Sequence, residues 1–420
     1  MNATSTDIQS TVQGTDSPGH HRRVCIVATV PIVLHWFMAP HIRELGKLYD
    51  VTIVSNGTVS EVDALMGEHV RFIPIGIERK ISLMKDLRTL LDLWKIFRRE
   101  RFDCVHSLMP KAGLLGMLAA KFAGVPIRIH WFMGQVWATR SGSARLLLKS
   151  LDKLLAACAT HLLAVSFSER DHLLAHQITR PNKLQVLAQG SVCGVDTTRF
   201  MPDPARRKAT RLECSIPEGA TVALYLGRLN RDKGMHELAA AYSLASSRCK
   251  DLHLLVVGPD EADMTGSMIR AVGDAADRLR FVGFASNPEA YMAAADYFVL
   301  PSHREGFGLT VIEAAACGIP SIGSRIYGLT DAIVDGQTGL LVPAGDVNAL
   351  ADAMTCLATD ADVRRKLGAQ ALDRVTRDFQ SKHLTDQLSR YYDNLLNTQC
   401  RSPNSCGIHR NEICADSEAP

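Results

Sequence analysis

The 420-residue chain has no apolar run long enough to span a bilayer, which takes about eighteen or more consecutive apolar residues. Residues 1–23 are polar and rich in Ser and Thr, and no basic stretch leads into an apolar one. The pattern of a secretory signal peptide is therefore missing, and a cytoplasmic location is the expectation. No internal repeat of fixed short period is present. No recognised nucleic-acid-binding motif is present either, so nucleic acid is not an expected partner. A disulfide framework is also missing. Cys25, Cys104, Cys158, Cys193 and Cys317 lie inside apolar runs, as reduced, buried thiols do. Cys400, Cys406, His409 and Cys414 stand closer together, but their spacing matches no standard zinc module. Residues 1–22 and 399–420 are expected to be disordered tails.

The remaining composition is that of a soluble globular enzyme, with 22% charged residues and a mean hydropathy of +0.01. The length suits two or three domains. The net charge of +3 hides an asymmetry: Arg71 to Lys153 holds sixteen Lys and Arg against six Asp and Glu. That stretch carries +10 and leaves −7 for the remainder. A basic patch confined to one region points to an anionic surface or substrate.

Short β-branched runs alternate with helical patterns along most of the chain. Arg23–Thr29, Val51–Ser55, Cys104–Ser107, Ile127–His130, His161–Val165 and Lys183–Ala188 read as one set of strands. Val222–Gly227, His253–Gly258, Leu279–Val282, Tyr297–Pro301, Pro320–Ser324 and Gly339–Val342 read as a second. Strands alternating with helices imply parallel sheets covered on both faces. The expected fold is α/β, with two Rossmann-like doubly wound domains, 23–190 and 205–375, facing a cleft across a hinge at 191–204. A last helix within 376–398 would pack back across that hinge. In such sheets ligands bind beyond the carboxyl ends of the strands.

Two stretches at strand ends carry chemistry. Pro301 to Glu313 leaves a strand, passes Gly306 and Gly308, and enters a helix. The glycines let the backbone approach a ligand, and the helix start favours an anion. Glu305 and Glu313 are suited to accept hydrogen bonds from sugar hydroxyls, or else simply stabilise the helix start. Leu226 to Gly234 is built alike, with Arg228 and Lys233 placed to meet phosphate oxygens. The alternative is a solvated basic loop.

These stretches resemble the family 4 retaining glycosyltransferases of GT-B architecture, and the resemblance spans roughly residues 23 to 396. Gly227–Arg228 with Lys233–Gly234 matches the family's donor-diphosphate loop. Glu305 and Glu313 match its paired glutamates. Gly194–Val195–Asp196 with Phe200 matches the start of its second domain, and Asp335–Gly336 with Thr338 to Val342 matches a later signature. The resemblance implies that Arg228 and Lys233 neutralise a departing diphosphate and that Glu313 holds ribose. It implies that Glu305 contacts the donor sugar and that the backbone of Gly306, Phe307, Gly308 and Leu309 lines the pocket. His130, before Trp131 to Trp137, looks like the family's active-site histidine, with a structural role as the alternative. His106, also at a strand end, is expected to order the acceptor cleft. One departure is visible: Thr29 to Trp36 contains no glycine, where many relatives carry a glycine pair. Capsule and surface-polysaccharide transferases often share this feature.

The implied reaction is transfer of a hexose or N-acetylhexosamine from a UDP- or GDP-sugar to a lipid-linked saccharide, with retention. No Asp-x-Asp cation site appears in a matching context, so no metal or other cofactor is expected. A nucleotide-sugar epimerase, a phosphorylase, a transferase using a soluble acceptor and a non-catalytic sugar-binding subunit are the competing readings. Leu87 to Arg101 and Arg140 to Lys153 interleave apolar and basic residues. They would dock the N-terminal domain on the anionic inner face of the cytoplasmic membrane, unless their Leu and Trp side chains face the core.

Overall fold

The computed structural model describes residues 21–78 and 81–398. The tails 1–20 and 399–420, with the cysteines of the latter, lie outside the described residues. Residues 21 and 22, assigned to the first tail, belong to the folded body: Arg22 pairs with Asp103 at 3.0 Å.

Seven strands form the first sheet: β1 (Arg23–Val27), β2 (Asp50–Ser55), β3 (Val70–Pro74), β4 (Cys104–Leu108), β5 (Ile127–Phe132), β6 (His161–Ala164) and β7 (Leu184–Val186). They are parallel and ordered β3-β2-β1-β4-β5-β6-β7. Six strands form the second: β8 (Thr221–Leu226), β9 (Leu252–Val257), β10 (Leu279–Gly283), β11 (Tyr297–Leu300), β12 (Ser321–Ser324) and β13 (Gly339–Val342). These are also parallel, ordered β10-β9-β8-β11-β12-β13. Helices cover both faces, so β4 and β9 are buried along their whole length, and their apolar runs need not alternate. Strand order reverses around β1 and β8, and each reversal opens a crevice beyond the carboxyl ends of the strands.

The β3 strand was not apparent in the sequence. It is an edge strand that ends on Pro74, a place where proline does no harm to a ladder. Its exposed Arg71 bonds Thr52 at 2.8 Å and Glu100 at 2.5 Å.

The Ser381–Thr398 helix returns to the first domain and packs on the Ala39–Leu48 helix. Its approach is set at the hinge, where Val195 donates to the Phe379 carbonyl at 2.8 Å and Ser381 to the Val195 carbonyl at 2.9 Å. Buried polar pairs then hold it. Thr385 meets His41 Nδ1 at 3.1 Å, the Tyr392 hydroxyl meets His106 Nδ1 at 2.7 Å, and Tyr49 donates to Asp393.

The Leu83–Glu100 helix turns Leu93 and Phe97 into the core. Leu83 (84% exposed), Met84, Leu87, Leu91 and Trp94 nevertheless stay on the surface. It packs on the Pro110–Ala123 helix, which packs on Gly142–Cys158, where Leu146, Leu147 and Leu154 are exposed. No described helix is long and apolar enough to cross a membrane.

Tyr392, on the last helix, is fully buried against the first domain, with Tyr49 and His106 against its ring. Tyr392→Ala is expected to remove about 3–5 kcal/mol of stability, read as a lower urea midpoint. An unchanged midpoint would mean that this helix does not brace the first domain.

Candidate active site

The carboxyl ends of the two sheets face a cleft of about 480 Å³. Its second-domain wall is built by three loops that leave strand ends. After β8 the chain turns at Gly227, and the Tyr225 hydroxyl holds the turn by donating to the Arg228 carbonyl at 2.8 Å. A short turn, Arg231–Lys233, follows, capped by the Asn230 side chain. Gly234 then adopts φ 73°, a conformation open to glycine. Any side chain there would strike the Pro301 carbonyl oxygen. That tight packing brings Lys233 beside the loop after β11.

Lys233 Nζ meets Glu305 Oε1 at 2.5 Å, and Ser302 Oγ donates to the same oxygen at 2.8 Å. Arg228 pairs with Glu261 at 2.8 Å. Both pairs line the cleft, together with Gly306, Phe307, Gly308, Leu309 and Glu313. Gly308 caps the Leu309–Ala316 helix at φ 87°, so the positive end of that helix abuts the cleft. Glu313 is only 7% exposed and has no hydrogen bond or ion pair among the described residues. Burial pushes its carboxyl up to about 7, Arg199 pulls the other way, and Glu289 adds to the rise. A desolvated, unpartnered carboxylate at a cleft wall is a strong acceptor awaiting a donor.

The first-domain wall is apolar. A short helical turn, Pro31–Val33, a π-turn, Leu34–Met38, and the Ala39–Leu48 helix follow β1 almost without a loop. They present Ile32, Val33, Trp36 and Phe37 to the cleft. This is the structural form of the missing glycines: a helical start replaces a phosphate-approaching loop. Trp36 stays 37% exposed within the cleft.

His130 is not brought to the cleft. It is 1% exposed, meets Ser107 Oγ at 2.9 Å and stands edge-on to Phe132. Burial pulls its imidazole down to about 3, so it is neutral. The reason is strand alternation: His130 points into the helical layer at Gly113, where an added side chain would collide with it. Met133, just past the end of β5, is the residue that reaches the cleft. His106 is likewise buried, stacked on Trp131 and bonded to Tyr392. It braces the last helix and does not line the cleft.

The sequence reading missed the groups that join the walls. Gly134 packs against Gly306, and a Cβ on Gly306 would lie 2.8 Å from the Met133 carbonyl carbon. Ser166 Oγ donates to the Gly306 carbonyl at 2.9 Å. Glu169, fully buried, accepts from Gly134 N at 2.5 Å and from Gln135 Nε2 and Val165 N at 2.9 Å. Burial raises its carboxyl to about 7 against the lowering pull of these bonds. Asp331 accepts from the Phe167 and Ser168 amides, and Ser168 Oγ accepts from Gly328 N at 2.7 Å. Glu261 had a visible signal: Gly258–Pro259–Asp260–Glu261 follows a strand end as the other two loops do. Glu169 had only a local signal, its place three residues after the helix-capping Ser166; its Gly134 and Gln135 partners are distant in sequence.

Comparison with known proteins agrees with this geometry. A family model described as "Glycosyl transferases group 1" matches residues 207–374, and one described as "Glycosyl transferase 4-like domain" matches residues 37–190. The chain is 31% identical to a Staphylococcus aureus protein, "Capsular polysaccharide biosynthesis glycosyltransferase CapM", over 83% of this chain and 91% of that one. It is 26% identical to the Escherichia coli "UDP-Gal:alpha-D-GlcNAc-diphosphoundecaprenol alpha-1,3-galactosyltransferase", over 84% of this chain and 90% of that one. Among solved structures, Anabaena Alr3699/HepE in complex with UDP superposes with a TM-score of 0.73 at 16% identity. The match covers 89% of this chain and 100% of that one. That likeness shows the fold, the GT-B pairing of two Rossmann-like domains.

A carboxyl raised from 4.5 to about 7 by burial keeps its proton in the folded state where the unfolded chain has lost it. Stability therefore falls as pH rises through that window. Glu313→Gln has no such loss. The variant is expected to show a higher urea midpoint than the parent at pH 8, with the gap closing toward pH 4.5. Equal midpoints at pH 8 would show that the Glu313 carboxylate is not strained by burial.

Proposed function

The chain belongs to the glycosyl transferases, with a group 1 domain and a 4-like domain, and on that premise we propose that it is a retaining, metal-independent transferase of polysaccharide assembly. It moves a hexose or N-acetylhexosamine from a UDP- or GDP-sugar to a lipid-linked saccharide. The observation that carries this reading is the wall on which Arg228, Lys233, a helix start, Glu305 and Glu313 converge. The UDP-bound Anabaena structure and the E. coli relative's diphosphoundecaprenol acceptor support the substrate classes.

Breaking the bond from sugar C1 to the diphosphate oxygen leaves positive charge on the ring and negative charge on the phosphate. Arg228, Lys233 and the start of the Leu309–Ala316 helix oppose that negative charge, and held in place beforehand they lower the barrier electrostatically. In the free protein Glu261 and Glu305 hold the two cations at the cleft. On binding, Lys233 shifts its charge to the diphosphate, and Glu305, still bonded by Ser302, accepts from sugar hydroxyls. Glu313 accepts from the ribose hydroxyls and loses its strain. At the end of β5 Met133 lines the cleft and His130 is buried behind it, and the leaving phosphate takes the acceptor's proton.

Membrane contact fits the outer helices. The Leu83–Glu100 and Gly142–Cys158 helices expose Leu83, Met84, Trp94, Leu146 and Leu147; Arg88 and Lys95 stand exposed on the first, Lys153 on the second, and Arg145 and Lys149 lie half-buried over the Trp137 ring. Each basic residue near an anionic surface contributes about 1 kcal/mol, enough together for reversible docking on the cytoplasmic leaflet.

Arg228→Ala and Lys233→Ala are each expected to lower turnover roughly 100- to 1,000-fold with the fold intact, assayed over UDP- and GDP-sugars with lipid-linked acceptors. Near-normal turnover in both would remove the diphosphate assignment, and an isomerised sugar formed without acceptor would identify an epimerase. Co-sedimentation with anionic vesicles is expected to fall at high salt and to be weak on neutral ones. Equal binding to both lipids, or to neither, would exclude the docking face.

A further inference from the structure

The first sheet has a second end. Where β5, β6 and β7 begin, on the side away from the cleft, lies a hollow of about 530 Å³ bounded by Lys153, Thr160, His161, Arg180, Asn182 and Lys183. No Asp or Glu lines it. Cations elsewhere on this protein are commonly matched: Arg22 with Asp103, Lys111 with Asp86, Arg207 and Arg211 with Asp296. Among the described residues Lys153, Arg180 and Lys183 make no ion pair, nor do Lys121 and Arg128, whose charges act on Lys183.

These cations are partly fixed in place. Lys183 donates to the Ala156 carbonyl, and Arg128 donates to the Cys158 carbonyl at 2.7 Å and the Val125 carbonyl at 2.5 Å. Ala156 and Cys158 end the Gly142–Cys158 helix, whose terminus carries roughly half a negative charge. Half a charge does not offset five cations. Burial first, then the positive neighbours Arg128 and Lys121, lowers the affinity of Lys183 for its proton. Burial, then Lys183 and Arg128, does the same at His161. Potential of one sign in a walled hollow concentrates counter-ions.

We propose that this hollow is a binding site for a multiply charged phosphate group, separate from the cleft. Lys153, Arg180 and Lys183 supply charge, and Asn182 supplies a neutral donor, while the Thr160 hydroxyl is held by the Arg128 carbonyl at 3.1 Å. Three cations around one opening suit a group with more than one negative charge, and ammonium and guanidinium donors both serve phosphate oxygens. The phosphate could be free or could be a lipid headgroup, since Leu154 beside Lys153 is exposed on the same helix. Neither source depends on the glycosyl-transfer reading.

The test uses the full chain in an Arg228→Ala, Lys233→Ala background, which silences the cleft cations. Inorganic pyrophosphate is titrated calorimetrically at low salt. Sedimentation is measured with vesicles of phosphatidylcholine alone and with added phosphatidic acid. Arg180→Ala with Lys183→Gln is then added, the glutamine keeping a donor for the Ala156 carbonyl. Arg180→Ala alone serves if the pair does not fold. Affinity is expected to fall about tenfold for each cation removed. A fall for pyrophosphate identifies a site for free phosphates, and a fall on phosphatidic acid vesicles alone identifies a headgroup site. Unchanged binding to both probes, or no binding of either by the background protein, would overturn the proposal.

Discussion

Two glycines set how the molecule works. Gly134 in the first domain and Gly306 in the second meet backbone to backbone, with no side chain between them. That contact brings the loop after β5 against the loop after β11. Ser166, Ser168 and Asp331 hold the same seam with hydrogen bonds across the two domains. Bulk at either glycine would part the walls and separate Met133 from Glu305 and its neighbours.

The seam depends in turn on a buried carboxylate. Glu169 ties Gly134, Gln135 and Val165 from the inside, and its bonds offset much of the desolvation that burial imposes. Glu313 is a contrasting case. It is as deeply placed but has no partner among the described residues, so its burial remains uncompensated until something donates to it. One glutamate gives rigidity, and the other stores a preference for a ligand. Their elevated carboxyl values look alike, and only their partners tell them apart.

The two walls also differ in kind. The second-domain wall is charged and carries its cations in pairs with acids, Arg228 with Glu261 and Lys233 with Glu305. The first-domain wall is apolar and aromatic because a helix begins directly after β1. An anionic group and a ring with apolar faces would each find a matching wall in such a cleft.

The strand and helix alternation and two glycine-bearing strand-end loops were legible along the chain, because each depends on local pattern: period, turn residues and capping. Arg228, Lys233 and Glu305 were legible for the same reason, each lying in a loop that leaves a strand end, and Glu313 through its place in the helix that follows such a loop. The β3 edge strand was not, since a short run closed by Pro74 gives little periodic signal. His130 shows where local reading stops. Its position near the end of β5 was clear, but strand alternation and the close packing of Gly113 turn it inward and leave Met133 at the cleft. Glu169 meets Gly134 from 35 residues away, and Ser166 meets Gly306 from 140. The local sequence determined which segments would be strands, helices and phosphate-suited loops. Which side chains face one another across the cleft was decided only by the packing of two separate sheets, because contacts so distant along the chain leave no periodic trace in it.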